Sequence, residues 1–316
     1  MIYIKDFIEK DKIEGVYFVE NAEVRLTSGK DEYLRVNIKD KTGKIIGNAW
    51  DISLASIKKV DAGDYAFVTG EVYNYNGQLQ LKIYGIRKAK EEEYNIKDYL
   101  EVSKYDIDNM KEELNNLINS IDNKFLKELL KKIFYENREI VERFSKHPAA
   151  KTIHHNFVGG LIEHTLGVAR LSDKICDLYE EANRDLLITG ALLHDIGKIY
   201  EMSEYPLIEY TSEGLFLGHI LIGIKIISEK TREIEGFPKE LELELEHLIL
   251  SHHGEYEFGS PKKPALIEAF ILNHADNIDA KMEIFRKELK DIAPDKWTKN
   301  IFALDSPIRK TIVSDK

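Results

Sequence analysis

Residues 185–198 read DLLITGALLHDIGK, an apolar helical stretch that ends on His194-Asp195 and, three residues later, Lys198. Its apolar positions recur at i, i+3, i+4 and i+7, the period of a helix with a core-facing side. A His-Asp pair on so apolar a segment is costly to bury unless both side chains find partners. The same anomaly repeats in both directions along the chain. His164 sits in LIEHTLGVA (161–169), His219 in LGHI (217–220), His252-His253 in LSHHGE (250–255) and Asp276 in NHADNID (273–279). All ten histidines lie beyond residue 146. A lone His in an apolar helix is usually a core or surface residue. Several of them, on different helices and accompanied by aspartates, are best served by a shared metal ion, since imidazole and carboxylate together suit Mn, Fe, Co, Ni or Zn. Consecutive helical side chains diverge by about 100°, so His252 and His253 can share an ion only near a helix end. Gly254 supplies that end as a C-cap.

Further out, the helical period runs through IDNMKEELNNLINSI, NKFLKELLKKIFYEN and the segments up to residue 290, so the second part of the chain is expected to be all-α. Residues 15–88 read differently. VYFVENAEVRLT, YLRVNIKD, KIIGNAWD, DYAFVTGEVYNYN and LQLKIYGIRKA are β-branched and aromatic, punctuated by Gly-containing turns. Asn76-Gly77 is a two-residue hairpin signal, because a type I′ turn needs positive φ at both positions. Five strands in this length suit a small closed barrel, with DISLASIKKV (51–60) as a short helical segment between them. Residues 89–104 lose the alternation, carry a charge run and read as a linker or solvated helix.

The whole chain has 316 residues, 43% apolar and 32% charged, with 7 Pro and 19 Gly, a composition that excludes disordered and collagen-like classes. Its length suits two domains. No apolar run reaches the roughly 18–20 residues that span a bilayer, and the charged start lacks a signal-peptide core, so no membrane partner and a cytoplasmic location are expected. The single cysteine, Cys176, excludes an internal disulfide and reads as a core thiol. Net charge is −11, but residues 1–90 carry 15 Lys and Arg against 13 Asp and Glu, which leaves 30 against 43 for the remainder. The acidic excess therefore belongs to the helical part and does not exclude a nucleic-acid partner for the barrel.

The stretch from DKTGKIIGNAWD (40–51) to AGDYAFVTGEVYNYNGQLQLKI (62–83) resembles an OB-fold of the nucleic-acid-binding type. Tyr33, Arg35, Trp50, Tyr73, Tyr75 and Lys82 would then offer aromatic faces to bases and cations to phosphates. The ordered set LIEH, ALLHDIGK, LGHI, LSHHGE and NHADNID resembles the HD-domain metal-dependent phosphohydrolases in their two-metal branch. That resemblance implies one ion held by His164, His194, Asp195 and Asp276, and a second held by His219, His252 and His253 with Asp195 bridging. It also gives Lys198 the place of a lysine that steadies a nonbridging phosphate oxygen, with Asp195 and Lys198 at the centre of catalysis. His154 and His155 precede the first ligand helix and are candidates for substrate contact or leaving-group protonation; His155 is the one assigned the catalytic role. Asp279, one turn after Asp276, can support that helix face but is not read as a ligand.

Taken together, a barrel followed by KTIHHNFVGGLIEHTLGVA and a tail near WTKNIFALD resembles the YhaM family of 3′-to-5′ exoribonucleases over nearly the full chain. The expected organisation is an OB-fold barrel at 1–90, a linker with leading helices at 91–146, an all-α HD-domain bundle at 147–292 and a tail at 293–316. The resemblance implies two-metal, Mn-favoured hydrolysis of single-stranded RNA, with some activity on single-stranded DNA, to nucleoside 5′-monophosphates. A homo-oligomer is compatible with this reading. Two alternatives stay open: an HD phosphodiesterase or nucleotidase for a small nucleotide, with the barrel as a regulatory or assembly module, and a noncatalytic nucleic-acid binder.

Overall fold

The computed structural model describes residues 2–27, 29–50, 60–100, 102–151, 157–205 and 207–312. The chain divides into two compact units, Met1–Glu101 and Val102–Lys316.

The first unit is a closed five-stranded barrel of β1 (Lys12–Leu26), β2 (Glu32–Asp40), β3 (Gly43–Ala49), β4 (Tyr65–Tyr75) and β5 (Gln78–Lys88), in the order β1-β2-β3-β5-β4. Only the β3–β5 pair is parallel. This is the OB-fold expected from the sequence. Alternation makes the barrel: Leu34, Val36 and Ile38 of β2 point inward and are buried, while Tyr33, Arg35 and Asn37 between them face out. Full burial of each aliphatic side chain contributes about 1.5–3 kcal/mol. Asn76 and Gly77 have φ of 52° and 83°, so the Asn-Gly pair makes the β4–β5 hairpin through positive φ at both positions. Asp40 closes the β2–β3 turn, where one carboxylate oxygen accepts from the Thr42 N–H at 2.7 Å and the Gly43 N–H at 3.1 Å.

Residues 91–100, expected as linker, instead pack on this barrel through their aromatic side chains. Tyr94 stacks on Tyr65 with centroids 4.0 Å apart, and the buried Tyr99 hydroxyl donates to the Val16 carbonyl at 3.0 Å. The charge run faces solvent while the tyrosines between the charges do not. The expected helical segment at 51–60 lies outside the described residues except for Val60, which is buried in the barrel core.

The second unit is helical: α1 (Ile107–Ser120), α2 (Lys124–Phe134), α3 (Arg138–Lys146), α4 (Gly160–Cys176), α5 (Arg184–Leu193), α6 (Lys198–Glu201), α7 (Ser212–Arg232), α8 (Lys239–Ser251) and α9 (Ile267–Leu289). Asp106, Asn123, Asn137, Asn183 and Thr211 cap helix N-termini with side-chain oxygens that accept from the first-turn N–H groups. One continuous core joins them, and α5 is buried over nearly its whole length between α4, α8 and α9. Cys176 is only partly buried, at the edge of that core. No described helix is long and apolar enough to cross a membrane.

Candidate metal centre

Five short stretches converge at one place: two follow helix ends, one follows a helix break, and two lie within continuous helices. His194 and Asp195 follow the last turn of α5 and are buried. His252 and His253 follow α8, where Gly254 takes φ 78°. A Cβ at Gly254 would also lie 2.5 Å from the Asn273 amide, which donates to the His252 carbonyl at 2.7 Å. His164 lies within α4, Asp276 within α9, and His219 just past Gly218, whose φ 69° and ψ 161° interrupt α7.

Two donor sets result. His164, His194 and Asp276 bring their ligand atoms within 4.8 Å of one another, and so do His219, His252 and His253. Asp195 stands between the sets. Its Oδ2 is 3.5 Å from His164 Nε2 and 3.3 Å from His194 Nε2, whereas its Oδ1 is 3.5 Å from His219 Nε2 and 3.8 Å from His252 Nε2.

The histidines are all aimed the same way. His194 Nδ1 lies 2.8 Å from the Ala191 carbonyl, His252 Nδ1 2.7 Å from that of Ile249 and His253 Nδ1 3.0 Å from that of Phe258. Carbonyls only accept, so these Nδ1 atoms carry protons and donate. His164 Nδ1 reaches Asp279 Oδ2 at 2.8 Å, and His219 Nδ1 reaches Glu201 Oε1 at 3.1 Å. Every Nε2 is thereby turned into the cluster, and that of His164 also lies 3.1 Å from Asp276 Oδ1. His164 and His194 present theirs only 3.3 Å apart. Lone pairs so opposed repel unless a cation or proton lies among them. Asp195 Oδ1, His219 Nε2 and His252 Nε2 are, moreover, buried without any hydrogen-bond partner. Orphaned buried acceptors of this kind, in an imidazole and carboxylate set with outward N–H groups anchored, fit a divalent metal.

Charge follows the same arrangement. Burial pushes the Asp195 carboxyl up, but Lys198 and His194 outweigh it and hold it well below the carboxylate range. Burial also works against the Lys198 ammonium, but Asp195 keeps it charged. For His164, hydrogen bonds to Asp195, Asp276 and Asp279 overcome burial and raise the imidazole well above its ordinary value. Burial and the neighbouring His253 and His194 hold His252 far below.

Lys198 Nζ sits 2.7 Å from Asp195 Oδ2 in a buried position. The resemblance implies a phosphate contact for Lys198; in the fold its partner is the central carboxylate. His154 and the catalytic candidate His155 lie outside the described residues. Glu201, which anchors His219, carried no sequence signal linking the two. Asp279 had one, its place one turn after Asp276.

On the barrel, the nucleic-acid candidates share the outward face of β2, β3, β4 and β5. Tyr33 and Trp50 are stacked at 6.0 Å with 22° between rings, and Tyr73 lies 6.3 Å from Trp50. Arg35 pairs in register with Asn48, whose side-chain amide donates to the Tyr73 hydroxyl at 3.2 Å and to Gln80 Oε1 at 3.0 Å. Lys82 follows Gln80 on the same side of β5, and its ammonium lies 5.7 Å from the centre of the Tyr84 ring. Tyr75, two residues after Tyr73 on β4, is exposed at the hairpin end.

The second unit carries an HD domain, with the family model matching residues 161–281. A 3′-5′ exoribonuclease YhaM from Geobacillus sp. (strain WCH70) is 34% identical over 94% of this chain and 90% of its own length, and one from Bacillus subtilis (strain 168) is 34% identical over 94% and 93%. A solved OB-fold domain of replication protein A from Methanococcus maripaludis aligns at 20% identity over 28% of this chain and 95% of its own, with a TM-score of 0.24. The chain belongs to the YhaM family of 3′-5′ exoribonucleases.

Proposed function

We propose that this chain hydrolyses single-stranded RNA from the 3′ end, with single-stranded DNA as a further substrate, in a reaction that needs two divalent ions, Mn favoured. The observation that carries the proposal is the position of Asp195, with one oxygen toward each histidine set. One ion would be held by His164, His194, Asp195 and Asp276, and the other by His219, His252, His253 and Asp195. Ions so held supply Lewis acidity toward water and the phosphate oxygens.

The chain's own groups do the rest. The anchored Nδ1–H groups fix each imidazole so that its ring does not reorient as charge develops. Lys198 keeps its positive charge beside Asp195 and offsets negative charge gathering on phosphorus oxygens. His155 is proposed as the source of the proton that the leaving oxygen needs. Water adds to the terminal phosphorus and the P–O3′ bond breaks, which releases a nucleoside 5′-monophosphate and leaves a new 3′-hydroxyl. Tyr33, Trp50, Tyr73 and Tyr75 offer ring faces to bases, and Arg35 and Lys82 offer cations to phosphates. Such binding weakens as salt rises.

Full-length protein with Mn and a 5′-labelled single-stranded RNA, resolved on a sequencing gel, tests the reading. A ladder of labelled products that shortens from the 3′ end in single-nucleotide steps is expected. Faster turnover of free nucleotides than of oligonucleotides would replace it with the small-nucleotide phosphodiesterase, and internal cuts would overturn the exonucleolytic reading.

A further inference from the structure

His219 is the only one of the five clustered histidines that does not sit at a helix end or inside an uninterrupted helix. It follows a break. Gly218, at φ 69° and ψ 161°, turns α7 out of helical geometry, and the His219 N–H that would otherwise enter the helical ladder is left free. Glu201 fills both needs created there. Its Oε1 accepts from the His219 backbone N–H at 3.0 Å and lies 3.1 Å from His219 Nδ1. One carboxylate oxygen thus caps the second half of α7 and sets the tautomer and direction of the imidazole.

Glu201 is itself held in place. Its carbonyl accepts from the Thr211 N–H at 2.9 Å and from the Thr211 hydroxyl at 3.3 Å, and α7 presses so close that a Cβ at Gly214 would lie 2.1 Å from that carbonyl oxygen. From the other side, a Cβ at Gly197 would lie 2.0 Å from the His219 carbonyl oxygen. Gly197 and Glu201, four residues apart, therefore grip His219 from its carbonyl and from its N–H and ring. His194-Asp195 lies directly upstream of this grip, so one short stretch supplies the central carboxylate and also places a donor of the second set.

We infer that Glu201 is a positioning residue for the second ion, acting through His219 without touching metal or substrate. The inference rests on the reading that His219 holds an ion. Metal-stripped full-length chain titrated with Mn, with ion count and affinity read by calorimetry and elemental analysis, separates the two ideas. His219→Ala is the reference and is expected to bind one ion fewer. Glu201→Ala is expected to weaken the second ion about 10–100-fold and to leave the first unchanged. Glu201→Gln keeps an acceptor oxygen and is expected to recover most of that affinity, with a measurable loss under about tenfold still confined to the second ion. If Glu201→Ala does not fold, the confined loss in Glu201→Gln carries the test. An unchanged second ion in the folded Glu201 variants, or both ions weakened equally, overturns the positioning role. His219→Ala that still binds two ions overturns instead the reading that His219 holds an ion.

Discussion

Gly167 lies in the middle of α4, where helix propensity alone says that alanine should stabilise by about 1 kcal/mol. The opposite is expected here. A Cβ at residue 167 would lie 2.3 Å from Asp279 Oδ1 and 2.8 Å from its carboxyl carbon. A short side chain can swing away, so the overlap itself is cheap to relieve. Swinging, however, breaks the 2.8 Å bond from His164 Nδ1 to Asp279 Oδ2 inside the core. A hydrogen bond to a charged group contributes about 1.5–3 kcal/mol. Setting the helix gain against that loss leaves Gly167→Ala less stable by about 0.5–2 kcal/mol. In a unit of this size each kcal/mol moves Tm by about 2–4 °C, so calorimetry should show a fall of about 1–8 °C. With His164 no longer oriented, the ion it would hold should weaken about 10–100-fold while the other is spared. A raised Tm with both ions bound as in wild type would refute the reasoning, since it would mean that α4 and α9 part without disturbing Asp279.

Gly218→Ala places a side chain at φ 69° and ψ 161°, a region that only glycine enters freely, and should cost about 1–3 kcal/mol; an unchanged Tm in a thermal melt would show that the break in α7 is not strained. Trp50→Ala removes the central ring of the Tyr33–Trp50–Tyr73 group and should cost about 1–3 kcal/mol of binding, roughly 5–150-fold for a long single strand measured by fluorescence anisotropy. KM for long RNA should rise while kcat and dinucleotide cleavage stay put, because such contacts act on substrate and transition state alike; a fall in kcat alone would contradict the assigned role.

Much of the fold is legible because it rests on short-range periodicity. The period-2 alternation of Tyr33 to Lys39 and the Asn76-Gly77 pair carry the barrel, and Gly254 marks the end of α8 through its positive φ. The grouping of His164, His194, Asp195, His219, His252, His253 and Asp276 is legible for a different reason. Polar residues on apolar helices need a common partner, and that need is visible in one dimension. Glu201 is not legible, since its tie to His219 spans 18 residues and depends on a helix break that only the tertiary packing reveals. Gly167 is equally silent, because what forbids a side chain there is a carboxylate 112 residues away. The tyrosines of residues 91–100 are masked by the charges between them. Lys198 differs again: its motif marks it as important, but the direction of its ammonium, toward Asp195, follows from burial rather than from spacing.

Asp195→Asn, with ion content and RNA hydrolysis measured on the same preparation, is the most direct probe of a site built around one carboxylate. The substitution keeps the shape but removes the charge that faces both histidine sets and pairs with Lys198. The buried ammonium would lose its partner, at about 3–5 kcal/mol in stability, so the variant must first be shown folded by circular dichroism. Wild type is expected to hold two ions per chain and Asp195→Asn to lose both together, along with hydrolysis. Two ions retained at wild-type affinity, or a rate within about tenfold of wild type, a loss of only ~1.4 kcal/mol of transition-state stabilisation, would contradict it.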